Sequence, residues 1–102
     1  MKVKGLKKLK DLEDNQEIIK NNLVEKLQRV ANKIKLMTNV EIDFVIVDVT
    51  DEFIFLKAYW GLSQAPDFLD VVVKTAVKEE LVYITYSPMH VEFQIPIGEL
   101  MP

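Results

Sequence analysis

Twice along this chain a run of apolar residues with helical spacing gives way to two short runs with strand spacing. That repeated grammar limits the fold more than any single motif. In the first pass Ile19, Leu23, Leu27, Val30, Ile34 and Met37 recur at intervals of four and three. This is one face of an α-helix over about residues 15–37. "DNQE", Asp14 to Glu17, has the capping-box pattern, with Asp14 set to accept from first-turn amides and Glu17 to reach back. Thr38-Asn39 supplies the stop. Strands at about 41–49 and 53–60 follow around the polar break Thr50-Asp51-Glu52.

In the second pass "GLSQAPD" is a turn, with Ser63 or Gln64 preceding a helix and Pro66 in its first turn, where a missing N–H costs little. Phe68, Leu69, Val72, Val73, Ala76 and Val77 make the apolar side. Three consecutive valines lower helix propensity and favour a strand at 68–74. Lys74, Lys78, Glu79 and Glu80 continue the helical period, however, so helix is the reading. "ELVYITY" and "HVEFQIPI" are strands around "SPM". The expected fold is α+β: a duplicated α-β-β unit (αββαββ), its antiparallel sheet carrying both helices on one side. The 102 residues make one domain. Residues 14–60 are the first half and 64–97 the second, repeating a pattern rather than residues. Residues 1–13, with Leu6, Leu9 and Leu12, form a basic tail or short helix, and 98–102 a tail.

Strand alternation sorts the faces. Lys57 is costly to bury unpaired, so Ile54, Leu56 and Ala58 face the core. Glu41 and Asp43 put Ile42, Phe44 and Ile46 inside, and Glu92 and Gln94 mark the polar outside of the last strand. The outer face of the first hairpin is then apolar: Val45, Val47, Val49, Phe53, Phe55 and Tyr59, with Trp60 beside it. Such a patch exceeds what monomers usually expose. Its cover is the N-terminal basic helix, a second copy of the chain, or another protein. Trp60 is either an interface anchor or a plug at the end of the core. The partner-binding residues expected from this face are Val45, Val47, Val49, Phe53, Phe55, Tyr59 and Trp60. An extended peptide would bind in a groove between the halves or along a free sheet edge.

Charge is uneven. Residues 1–35 hold ten of the 13 Lys and Arg against five acids, and residues 36–102 hold three against eleven, balances of +5 and −8 within a net −3. A basic N-terminal third either meets nucleic acid or complements the acidic remainder of its own or a neighbouring chain. The nucleic-acid alternative rests on Lys7, Lys8 and Lys10 as an arm and on Lys26, Arg29 and Lys33 along one side of the helix.

Little in the chain asks for catalysis, and it reads as a non-enzyme. The absence of Cys removes disulfides, thiolate ligands and a thiol nucleophile. The single histidine, His90, stands at a strand entry, where a solvated role is the simplest. Asp43, Asp48, Asp51, Glu52 and Asp67 offer oxygen ligands without a calcium-loop spacing, and "DEFIFLK" lacks the acid and E-x-K spacing of a restriction-type nuclease. Gly5, Gly61 and Gly98 form no phosphate loop, and Ser63 and Ser87 no nucleophile elbow. No cofactor or metal is therefore expected. No apolar run approaches the ~20 residues needed to span a bilayer, and "MKVKGLKKLK" has the charge of a secretory leader without its apolar stretch. A cytoplasmic protein without membrane partner is the expectation.

In size, absence of Cys and Lys/Ile/Val-rich texture the chain resembles small orphan proteins of filamentous viruses infecting hyperthermophilic archaea. The resemblance implies a partner-binding role in the host cytoplasm, with a peptide held in a groove between two similar motifs.

Overall fold

The structure, a computed structural model, describes residues 1–12, 14–61 and 66–101. In chain order it has β1 (Val3–Lys4), a 3₁₀ turn (Leu6–Asp11), α1 (Gln16–Thr38), β2 (Asp43–Val49) and β3 (Phe53–Tyr59). There follow α2 (Pro66–Lys78), β4 (Val82–Ser87), β5 (His90–Pro96) and a closing 3₁₀ turn (Ile97–Leu100). The fold is α+β, and residues 68–74 are helical as the charge periodicity predicts. The residues proposed to precede α2, Ser63 and Gln64, lie outside the described residues. Two expectations need correction. The element order is β-α-β-β-α-β-β, not αββαββ, and the five-stranded sheet β1-β2-β3-β5-β4 is mixed, because β1 runs parallel to β2.

Of the two expectations for the first residues, tail or short helix, the second has its counterpart in the 3₁₀ turn Leu6–Asp11, and β1 ties the residues before it to β2. The Phe44 N–H donates to the Lys2 carbonyl at 2.9 Å, and the Lys2 N–H to Asp43 Oδ1 at 2.7 Å. Leu9 and Leu12 of the following turn enter the core. Gly5 makes the route passable: its φ is 83°, and a Cβ there would stand 2.6 Å from the Ile46 carbonyl oxygen. Both the left-handed backbone and the close approach exclude larger residues. Gly5→Val is expected to lower stability by about 2 kcal/mol or more, read from urea unfolding midpoints; a neutral outcome would mean that β1 does not hold the edge of β2.

In α1 the apolar stripe is buried as its spacing requires, from Ile19 through Ile34, while Met37 is exposed. The capping box does not form. Asn15, not Asp14, is the N-cap, at φ 59° and without a side-chain cap bond. That left-handed geometry replaces the extended backbone a capping side chain needs. Each helix ends near a left-handed residue, Asn39 (φ 60°) after α1 and Glu80 (φ 71°) after α2. The Leu81 N–H then returns to the Ala76 carbonyl at 3.1 Å, closing the end of α2.

Two β-bulges shape the sheet. β2 pairs with β3 through Ile46–Leu56 and Asp48–Phe55, leaving Val47 over; β4 pairs with β5 through Tyr83–Phe93 and Thr85–Glu92, leaving Ile84 over. A bulge sets two residues against one, so the strand continues with its faces exchanged. At the sheet centre β3 pairs with β5, Leu56 opposite Phe93. One face of this sheet, with Phe44, Ile46, Ile54, Leu56, Ala58, Val91, Phe93 and Ile95, joins both helices in a single core.

Candidate functional site: the outer sheet face and the β4 edge

Cross-strand pairing defines the outer face row by row. One row runs Val45, Lys57, Glu92, Thr85, and the next Asp48, Phe55, Gln94, Val82. Lys57 and Glu92 form a cross-strand ion pair at 3.4 Å. Between these rows lies a cleft of about 250 Å³, lined by Val47, Phe55, Lys57, Ile84 and Glu92 among others. The two bulge residues, one from each hairpin, thus border the same depression. Its apolar wall is Val47, Phe55 and Ile84; its polar wall is the ion pair.

Of the seven residues expected on this face, five lie there. Val45, Phe53, Phe55 and Tyr59 are half-buried and Val47 is exposed, with the Phe53 and Phe55 rings 6.2 Å apart. Val49 does not join them. Past the bulge it pairs with Ile54 and packs against the core, while Asp48 takes the outward place. Trp60 is also inside, 5% exposed and edge-on to Phe68 at 4.9 Å, which is the plugging position.

Sequence alternation missed β4. The outer face of the second hairpin is polar on β5 only; β4 adds Val82 and Ile84 to it. Tyr83 and Tyr86 pair with Phe93 and Val91 and so lie on the helix side, yet both stay exposed, Tyr86 by 58%. Neither helix covers them. β4 is the last strand of the sheet, carries no charged residue and exposes apolar side chains on both faces, with Met89 exposed in the turn beyond it. Edge strands usually carry charge, proline or cover because their free N–H and C=O groups invite pairing. Here the bulge at Ile84 is the one such device within the strand. The uncharged run "VYITYS" was the available signal.

The basic residues of α1 have partners in their own chain. Lys26 is buried, its Nζ 3.3 Å from Glu80 Oε1 and 3.2 Å from the Glu79 carbonyl. Arg29 and Lys33 reach the two oxygens of the Glu79 carboxylate at 3.1 and 3.4 Å. The helical spacing placed the three on one side as expected, and acids from the end of α2 occupy them. Lys7, Lys8 and Lys10 are exposed on the first 3₁₀ turn. Burial alone would raise the Glu79 carboxyl; hydrogen bonds from Arg29 and Lys33, with their charges, outweigh it and hold it below the usual carboxylate value. A depressed folded-state pKa adds stability above the unfolded value, lost as pH falls through the folded one. Glu79→Gln is therefore expected to lower the thermal midpoint at neutral pH. The gap to the parent should close on acidification below the glutamate range; a pH-independent gap would mean that packing, not charge, is lost.

His90 accepts or donates through Nδ1 to the Ser87 hydroxyl at 2.6 Å, a contact across the Pro88-Met89 turn. Among the described residues no three His, Asp or Glu side chains converge as metal ligands, and no helix is long and apolar enough to cross a membrane. No protein-family model matches the chain, and neither the curated proteins nor the solved structures contain a significant match to it.

Proposed function

We propose that this protein is a non-catalytic protein–protein interaction module that takes an extended segment of a partner protein along β4, with the outer-face cleft receiving a side chain. The observation that carries this reading is an edge strand without charge, exposed and apolar on both faces. Strand addition there gives affinity through main-chain hydrogen bonds and selectivity through alternate side chains. The cleft borders strands of both hairpins, and its Lys57–Glu92 pair can orient a polar group of the ligand. The two α-β-β stretches read as copies of one unit: both carry the bulge in the first strand, and corresponding residues Leu56 and Phe93 meet at the centre. On that reading the first copy has its outer edge covered by β1, and among the described residues no strand covers the edge of the second. The chain's resemblance to viral orphan proteins fits a role in capturing a host or viral protein in the cytoplasm.

Peptides selected from a displayed random library test the reading. Ile84→Lys and Tyr86→Glu each place a charge on an exposed position of β4, on opposite faces, and are expected to weaken the selected peptides about tenfold or more with little change in thermal midpoint. Undiminished binding by both variants would remove β4 as the docking edge. The runner-up use of this surface, pairing between two copies, would show as a dimer in light scattering that the same substitutions dissociate.

A further inference from the structure

A second concavity lies away from the sheet, between the last turn of α1 and the middle of α2. Leu36, Met37 and Val71 wall it, Lys33, Lys74 and Lys78 stand around it, and its volume is about 430 Å³. Leu36 is 87% and Met37 60% exposed, unusual for side chains of this size on a helix that otherwise buries its apolar stripe. The one neutral polar side chain in the lining, Thr75, donates its hydroxyl to the Val71 carbonyl at 2.7 Å and so has no proton to offer an anionic head. Lys33 and Lys74 contact Glu79 and Asp70, at 3.4 and 2.9 Å. Among the described residues no carboxylate lies within bridging distance of Lys78. The slot thus combines an open apolar floor with a rim whose excess positive charge is that of Lys78, since Lys33 and Lys74 already meet carboxylates.

We propose that this slot binds a single-chain amphiphile with an anionic head, an alkyl carboxylate whose chain lies against Leu36, Met37 and Val71 and whose head meets the lysines. The depression is open, with Leu36 87% exposed, and covers one side of an alkyl chain rather than enclosing it. A partner helix fits less well: docking in a groove needs apolar anchors spread over i to i+7, about 10 Å along an axis, whereas the apolar lining is Leu36 and Met37 on α1 and Val71 alone on α2. The lysines select sign. Their stems extend the apolar wall while the ammonium groups stay in water.

The test is titration with dodecanoate below its micelle-forming concentration, followed by the Met37 methyl resonance and by calorimetry. Dodecylamine is the control of opposite charge, and phosphatidylglycerol vesicles the control for a membrane surface. Saturable one-to-one binding of dodecanoate is expected, with dodecylamine about tenfold weaker or worse. The Lys74→Glu/Lys78→Glu variant should bind dodecanoate about tenfold more weakly or worse while retaining the parent circular dichroism spectrum. Absence of saturable binding, equal affinity for dodecylamine, or binding to vesicles without binding of monomeric dodecanoate would each overturn the proposal. The comparison of the two amphiphiles on the parent protein decides it even if the double variant fails to fold. Since the slot and the β4 edge share no residue, either can fail without the other.

Discussion

Phe93→Ser is expected to cost about 3–5 kcal/mol of folding stability, and Phe55→Ser about 1 kcal/mol. The two phenylalanines sit on neighbouring strands of the same sheet but on opposite faces. Phe93 is 0% exposed, opposite Leu56 at the sheet centre, with the Tyr83 ring 6.5 Å away. Truncation there opens a cavity that helices on one side and sheet on the other cannot close, and it buries a hydroxyl. Phe55 lies on the outer face among Asp48, Gln94 and the Phe53 ring, half in water already. Thermal unfolding of both variants at low protein concentration separates them. Equal, large losses would mean that the outer face is interior and that no open surface exists to bind a partner.

Val49→Asp should destabilise by about 2 kcal/mol, because it replaces a half-buried side chain packed against the core by a carboxylate. Val47→Asp, two residues earlier, should cost about 1 kcal/mol or less, since Val47 is an exposed bulge residue. Strict alternation from Val45 predicts equal effects, as all three valines would share the outer face. The bulge breaks that equality by turning Val49 inward and Asp48 outward. Urea midpoints of the two variants measure the difference. If Val49→Asp is as mild as Val47→Asp, the strand runs without the bulge and the cleft between the hairpins loses one of its walls.

Much of the architecture is written in periods. The spacing from Ile19 to Ile34 marks α1, the charges at Lys74 and Lys78 mark α2 against its valine run, and Lys57, Glu92 and Gln94 mark the wet side of the sheet. What the periods cannot carry is a change of phase. A bulge shifts the alternation by one residue without changing composition, so Val49 reads as outward until pairing with Ile54 is seen. Nor can they carry reach. Whether Tyr83 and Tyr86 are covered depends on how far the helices extend over β4, and the 13-residue α2 leaves them bare. β1 is two residues long, too short for any alternation, and its route depends on one glycine beside the Ile46 carbonyl. The basic stripe of α1 read as a possible nucleic-acid face because its partners, Glu79 and Glu80, are some fifty residues distant in sequence.

The central claim is that β4 is an open edge that accepts a partner strand. Backbone amide hydrogen exchange, followed residue by residue with and without a selected peptide, tests it most directly. The account predicts that amides of residues 82–87 gain protection on binding, while β2, whose edge is already occupied by β1, is unchanged. Protection confined to the helices, with the exchange of β4 unaltered, would contradict it.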